Sequence, residues 1–261
     1  MRLKQTFSLF MCCARFELMA RMESALAFGL ITVGMLVKIA FTLIFFQALY
    51  GQVNTIGGWT LSQTYLLLGT FFLIESISWA TYIRGFNRLS GFIERGELDR
   101  FLVQPVRLRG FLMYRFIDVF FCLPEVFAGI GLVVYGLMET GTWAYLPVYF
   151  FYLACAFVLH WSVILLLSTI NFYVVFPQTY FLYSEILKLG RYPASIYKGA
   201  VGLVFSIVIP LTFIYSVPAE ALFKGFSLWT ALAAVGLSIL FYALAVTCWN
   251  RGIQRYESAN G

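Results

Sequence analysis

Long apolar runs decide what this chain can fold into. The run from Ala25 to Tyr50 contains one charged residue, Lys38, and comparable runs follow at about 61–83, 116–137, 144–170, 196–217 and 228–249. About 20 apolar residues are enough for a helix to cross a bilayer, and lipid offers no partners for an unpaired backbone. The sequence therefore predicts an all-α polytopic membrane protein with six transmembrane helices, forming one domain over residues 1–261.

Composition narrows the function classes further. Of the 261 residues, 61% are hydrophobic and 11% are charged, which excludes an ordinary soluble domain. The net charge of +6 comes from residues spread over the loops between apolar runs, a pattern that indicates membrane orientation and contact with lipids, not nucleic acid. Five cysteines without CxxC spacing and a single histidine predict no metal site and no catalytic constellation.

Basic residues set the predicted orientation. Seven arginines lie within 84–115, so this loop is expected in the cytoplasm, and six spans then place both termini there as well. Phe172–Leu189 carries Pro177, Gln178, Glu185 and Lys188, and it is predicted to be interfacial or re-entrant instead of crossing. With Lys188, Arg191 and Lys198 counted as cytoplasmic, 16 of the 18 basic residues lie on that side.

The first 23 residues show helical spacing of apolar side chains. Leu3, Phe7, Phe10, Ala14 and Leu18 share one face, and basic residues occupy mostly the other. This pattern predicts an amphipathic helix lying in the plane of the membrane over residues 1–23. The alternative is a plain cytoplasmic tail.

The cytoplasmic loop between the second and third spans, residues 84–115, contains its own short helices. Gly91–Arg95 and Glu97–Val103 are predicted to be helical pieces separated by Gly96, with Pro105 ending the second. Leu98, Phe101 and Leu102 would share one face, while Glu94, Glu97 and Asp99 would remain available to basic groups of another protein. The loop is expected to transmit force from a soluble partner into the membrane.

Four polar residues within the predicted spans are candidates for a substrate path. Lys38 and Glu75 lie at similar depth, roughly 18–21 Å from the external ends of their helices, and are predicted to form a buried ion pair. Glu125 follows Pro124 and is expected to line a cavity, and His160 is expected to make an interhelical hydrogen bond. Substrate contact and proton coupling remain alternatives for these charges.

The sequence contains no phosphate-binding GxxxxGK[ST] motif, so any ATP used in transport would be bound by another chain. An ion-coupled secondary transporter that uses Lys38, Glu75 and Glu125 as a proton relay is the competing interpretation.

Four stretches resemble the ABC-2 type transporter permeases, and more narrowly their six-span bacterial branch: GELDRFLVQPV, GRYPASIY, IPLTFIYSVPAEAL and WNRGIQRYESANG. The resemblance implies the permease subunit of an exporter in the bacterial cytoplasmic (inner) membrane, moving a hydrophobic or amphipathic cargo. A second permease, identical or related, would complete a dimer, and two cytoplasmic ATPase subunits would hold ATP and Mg. This chain itself would bind no cofactor.

The resemblance also implies roles for particular residues. Arg191, Tyr192 and Pro193 match a second cytoplasmic motif, and only Ser216–Ser227 is available outside the membrane, so no broad extracellular gate is expected. The residues expected to couple the loop to the ATPases are Glu94, Gly96, Glu97, Leu98, Asp99, Leu102 and Pro105.

Overall fold

The computed structural model describes residues 25–103, 108–174 and 179–256. These residues contain no β-strand and fold into helices, which confirms the all-α polytopic class. The predicted in-plane helix over 1–23 lies outside the described residues. The helices are α1 Ala25–Tyr50, α2 Leu61–Ser78, α3 Leu89–Glu94, α4 Leu98–Leu102, α5 Leu108–Arg115, α6 Val119–Thr140, α7 Leu146–Thr169, α8 Thr179–Leu187, α9 Gly199–Leu203, α10 Val217–Lys224 and α11 Leu228–Arg255.

Two of these helices begin where the sequence supplies a side-chain cap. Thr60 caps α2 in a capping box, in which its side chain accepts from the Gln63 backbone and the Gln63 side chain accepts from the Thr60 backbone. Ser227 caps α11 in the simpler way, through its hydroxyl. Helix α2 does not stop at Ser78, because a π-helical turn at Trp79–Ile83 and the short helix Arg84–Asn87 continue it towards α3.

The centre of the bundle is the packing of α2 against α6. A Cβ atom on Gly69 would lie 2.8 Å from the Gly129 carbonyl oxygen, closer than real Cβ contacts, so these glycines let the two backbones approach each other. Helix α6 runs through Pro124 without ending. Helix α1, by contrast, buries mainly Ile39, Thr42 and Phe46, and most of its apolar surface is exposed.

Contacts between residues at the ends of the helices define the two ends of the bundle. At the charged end, which carries α3–α5, the Arg255 guanidinium lies 5.9 Å from the Tyr173 ring centroid. Tyr256 there lies beside Asp99, and burial together with this carboxylate raises the pKa of Tyr256. The opposite end carries the loop 51–60 and the turn between α6 and α7.

Six segments connect these two ends, but the fifth is not the predicted one. Tyr173 lies at the charged end, whereas the Ser195 hydroxyl donates to the Gly57 carbonyl in the loop 51–60, at 2.6 Å. The chain therefore crosses the bundle between residues 174 and 195, through α8 and the 3₁₀ turn Lys188–Arg191. The expectation that Phe172–Leu189 is interfacial or re-entrant was wrong.

Residues 199–224 instead enter and leave at the opposite end. Helix α9 and the π-helical turn Val204–Val208 meet the second arm, Thr212–Lys224, at a 71° bend. The Trp59 and Phe223 rings, 5.0 Å apart, and the contact of Gly225 with Tyr145 return the second arm to that end. The predicted fifth span at 196–217 is therefore a re-entrant hairpin, and Lys198 lies near the opposite end.

The helix lengths agree with this arrangement. Within the described ranges, five helical stretches are long and apolar enough to cross a membrane, and the bent pair is a sixth only if it counts as one span. The crossing through α8 is shorter and more polar, which is why length and hydropathy alone do not identify it. The five long stretches are Phe28–Tyr50, Leu61–Glu94, Cys122–Thr140, Trp143–Phe172 and Leu228–Arg255.

Candidate functional site

A polar cluster lies in the middle of the bundle around Glu75 of α2. The Tyr215 hydroxyl from the re-entrant hairpin donates to Glu75 Oε1, and His160 Nε2 from α7 lies 3.4 Å from the same oxygen. The His160 side chain is fully buried. One carboxylate therefore links α2, α7 and the hairpin, because a buried carboxylate requires such partners to remain in an apolar interior.

The cluster continues along α2 on the other side of His160. The Tyr82 hydroxyl is 2.7 Å from His160 Nδ1 and 2.6 Å from the Ser78 hydroxyl. Tyr82 belongs to the π-helical turn Trp79–Ile83, and such turns are frequent at functional positions in helices. The interhelical hydrogen bond predicted for His160 is confirmed, with Tyr82 as its partner.

Lys38 does not pair with Glu75. The Lys38 ammonium contacts the Glu125 carboxylate of α6, so the ion pair joins α1 to α6 and not to α2. The predicted Lys38–Glu75 pair was wrong because depth along two helices does not fix which faces meet. The Lys38 side chain is 48% exposed, whereas the Glu125 side chain is 7% exposed. Glu125 is thus enclosed, and the lysine is the open side of the pair.

Arg191 lies inside the bundle, not at the charged end. Its guanidinium carbon is 4.9 Å from the centroid of the Phe71 ring of α2, one helical turn from Glu75. Tyr192 contacts Phe46 of α1, with ring centroids 5.5 Å apart. The placement of the Arg191–Pro193 motif in the cytoplasm was therefore wrong, because this stretch belongs to the fifth crossing.

The loop at the charged end has the predicted two helical pieces, α3 and α4. Gly96 separates them with a φ of +65°, a backbone conformation that glycine adopts without steric cost. Leu98 is fully buried, and the Phe101 ring packs between Phe92, 5.1 Å away, and Phe111, 4.7 Å away. These contacts attach α4 to α3 and α5.

The predicted loop residues divide into a packed and an exposed group. Glu94 is exposed, and Glu97 is partly buried in an ion pair with Arg95, Nε to Oε1 2.9 Å. Leu102 does not share the buried face of Leu98, because it is 39% exposed, and the adjacent Val103 is 84% exposed. Pro105 lies outside the described residues.

Sequence reasoning missed one ion pair near this loop. Arg84 Nη1 lies 2.8 Å from Asp118 Oδ2, and the Asp118 side chain is 4% exposed. The Asp118 backbone N–H also donates to the Ala80 carbonyl, at 3.1 Å. These bonds fasten the start of α6 to the end of the second span. The sequence does show the opposite charges of Arg84 and Asp118 on the two sides of this loop, and that pattern could have predicted the ion pair.

An apolar groove of about 620 Å³ lies between α1 and α6. Its walls include Phe28, Leu36 and Ile39 from α1 and Phe120, Pro124 and Phe127 from α6. Ile39 and Pro124 are the chain neighbours of Lys38 and Glu125, so the groove lies beside the ion pair. Within the described ranges, no group of three or more His, Cys, Asp or Glu side chains is arranged to hold a metal ion.

A helical bundle of long apolar crossings with a re-entrant hairpin, buried charge in its interior and an exposed helical loop at one end defines a polytopic α-helical membrane protein. Residues 36–260 match the family described as ABC-2 family transporter protein. The chain belongs to this family. Neither the curated proteins nor the solved structures gave a match.

Proposed function

We propose that this chain is the membrane permease subunit of an ATP-driven exporter in the bacterial inner membrane. The observation that carries the proposal is the family match over residues 36–260, nearly the whole chain. ATP and Mg would be bound by cytoplasmic ATPase subunits, because the sequence has no phosphate-binding loop of its own. The permease is thus a non-catalytic transport subunit.

The charged end is the cytoplasmic end in this proposal. Among the residues that the structure describes, the loop 84–115 and the end of α11 hold eight arginines, whereas Lys198 and Lys224 are the basic residues near the opposite end. An excess of lysine and arginine marks cytoplasmic loops of membrane proteins. With this orientation and six crossings, the proposal has both chain termini in the cytoplasm.

The loop 84–115 supplies the docking and coupling surface for the ATPase. Leu102 and Val103 form an exposed apolar tip, and Glu94, at the end of α3, is an exposed negative charge of the same loop. The ring stack around Phe101 passes a displacement of the tip to α3 and α5, since packed interiors are stiff. The proposed coupling residues remain Glu94, Gly96, Glu97, Leu98, Asp99, Leu102 and Pro105.

A second permease subunit covers part of the apolar surface of this one. In the most apolar 18-residue stretch of α1, within Phe28–Tyr50, only 6% of the residues are buried by the rest of this chain. A helix packed this lightly on its own subunit offers a long apolar face to an identical or related permease. The cargo, hydrophobic or amphipathic, would move between the subunits, and the groove between α1 and α6 has walls suited to an apolar chain. The competing proton-relay interpretation has no support from the family match.

The proposal is tested by purifying the tagged chain in mild detergent from its native host and identifying the co-purifying proteins by mass spectrometry. A soluble ATPase with a phosphate-binding loop is expected, with or without a second six-span permease. Recovery of this chain alone, under conditions that preserve other membrane complexes, would remove the ATP-driven assembly.

A pair of variants locates the docking surface. Val103→Asp places a charge on the exposed tip and is expected to lower ATPase recovery about tenfold or more, because loss of an apolar anchor residue at an interface costs about 2 kcal/mol or more. Val53→Asp makes the same change at an exposed position near the opposite end and is the control. Equal ATPase recovery from both variants would show that the tip is not the docking site.

A further inference from the structure

Arg191 has no counter-charge in contact, although it lies within the bundle. No carboxylate of the described residues forms an ion pair with it, and its buried Nε has no hydrogen-bond partner. The cation–π contact with Phe71 returns only part of the hydration that a guanidinium loses on burial. A charged group in this position is therefore incomplete in the structure as it stands.

The neighbouring carboxylates already have partners of their own. Glu75 is held by the Tyr215 hydroxyl and the His160 ring, and Glu125 is held by Lys38. Both carboxylates act on Arg191 electrostatically without touching it. The negative charge of this region is thus enclosed by protein donors, whereas the guanidinium of Arg191 has no carboxylate in contact among the described residues.

Lys38 is the second cation of this region, because it contacts Glu125, a carboxylate that also acts electrostatically on Arg191. Its side chain is 48% exposed at mid-bilayer depth, where lipid tails are a poor environment for an ammonium group. Phe46, two helical turns along α1, packs on Tyr192, the residue after Arg191. This ring contact lies between the two cations and the opposite end of the bundle.

We propose that Arg191 and Lys38 bind the anionic headgroup of the cargo, so that the substrate class is an amphiphile with a phosphate or carboxylate group. This inference rests on the proposed transport function. A cationic headgroup is disfavoured at this site, because the carboxylates of Glu75 and Glu125 are both enclosed by protein partners. A guanidinium supplies two parallel donors for such a headgroup, and an ammonium supplies a compact second charge.

The test measures equilibrium binding to the full chain in nanodiscs of neutral phosphatidylcholine. The probes are dodecyl phosphate, dodecyltrimethylammonium and inorganic phosphate. Dodecyl phosphate is expected to bind at least tenfold tighter than the cationic probe of equal chain length, because a charge-assisted hydrogen bond is worth about that factor or more. Inorganic phosphate separates an amphiphile site from a site for the free anion: weak binding is expected, and binding equal to dodecyl phosphate would overturn the assignment of an amphiphile.

Two variants with one lost positive charge each form the matched comparison. Arg191→Gln is expected to weaken dodecyl phosphate binding about tenfold or more. Lys198→Gln, on the same segment but near the opposite end, is expected to leave it unchanged. Equal affinity of the two variants, or equal affinity of the native chain for the anionic and cationic probes, would overturn the proposal. The second comparison needs no variant and holds even if Arg191→Gln fails to fold.

The binding measurement uses no ATPase, so its outcome is independent of the subunit test above. An ATPase recovered together with binding that ignores headgroup charge would leave the exporter standing and remove the anionic cargo. Charge-selective binding without a co-purifying ATPase would do the reverse.

Discussion

At the scale of single residues, His160 connects most of the central cluster. It contacts the Tyr82 hydroxyl on one side of its ring and the Glu75 carboxylate on the other, and it is fully buried. Glu75 retains Tyr215 and Tyr82 retains Ser78 when the ring is removed. The stability of the cluster therefore depends on how costly the two weakened contacts are.

We expect His160→Leu to lower the stability of the chain by about 1–3 kcal/mol for each polar group left short of a partner, because water cannot replace the imidazole in this interior. Thermal unfolding in detergent measures the change. Ser162→Ala is the control on the same helix, since the Ser162 hydroxyl donates only to the Val158 carbonyl one turn earlier, at 2.6 Å. A midpoint for His160→Leu no lower than that of Ser162→Ala would contradict the structural role.

The Lys38–Glu125 pair gives a residue-scale prediction with an internal control. Lys38→Met leaves the enclosed Glu125 carboxylate without its counter-charge and is expected to cost about 3–5 kcal/mol. Adding Glu125→Gln removes the stranded charge, so the double variant should recover most of this loss. Stability changes that simply add, measured by thermal unfolding of both single variants and the double variant, would show that the two groups do not interact.

Sequence reasoning found the polar residues of this site but not their partners. Hydropathy and helix length give the depth of Lys38 and Glu75, and both do lie near the middle of the bundle. Which faces meet depends on the rotation and tilt of each helix, which packing decides. Sequence reasoning did not find the contributions of Tyr215 and Arg191, because the re-entrant hairpin and the fifth crossing, to which they belong, were predicted differently.

At the scale of elements, the contact between α2 and α6 is set by glycines. Gly69 leaves no room for a Cβ atom against the Gly129 carbonyl oxygen, whereas Gly131, on the same α6 helix, has nothing within 4 Å of such an atom. The two positions differ in surroundings and not in residue type, which makes them a matched pair.

Gly69→Ala is expected to destabilise the chain by about 1–3 kcal/mol, because the added methyl group forces the two backbones apart. Gly131→Ala should instead stabilise it by about 0.5–1 kcal/mol, since alanine loses less backbone entropy than glycine in a helix. Both changes are read from thermal unfolding midpoints. Destabilisation of equal size at the two positions would contradict the close approach of α2 and α6.

The elements that the sequence predicted correctly have strong local signals. The two helical pieces of the loop follow from Gly96 and from the apolar spacing around Leu98, and the long spans follow from hydropathy. The fifth crossing failed because Glu185, Lys188 and Arg191 interrupt its apolar pattern. In the structure Glu185 and Lys188 pair with each other, and Phe71 covers Arg191. These contacts offset part of the free energy of placing charged side chains in the bundle, which a hydropathy pattern along the sequence does not take into account.

At the scale of the whole molecule, the six crossings and the re-entrant hairpin predict which positions share a side of the membrane. In a cysteine-free background, Lys198→Cys should react with an impermeant thiol reagent from the same side as Val53→Cys. Glu94→Cys should react only from the other side. Labelling of Lys198→Cys together with Glu94→Cys would instead support a fifth span at 196–217.

The fifth crossing also has a consequence for biogenesis. Its helix α8 is short, and the segment carries Glu185, Lys188 and Arg191, so it would partition poorly into lipid when it leaves the insertion machinery by itself. Phe71, which covers Arg191, belongs to the second span and is synthesised more than a hundred residues earlier. The second span is therefore made before the fifth crossing that packs on it. Insertion of the fifth crossing thus depends on packing against helices of the same chain that are already in the membrane.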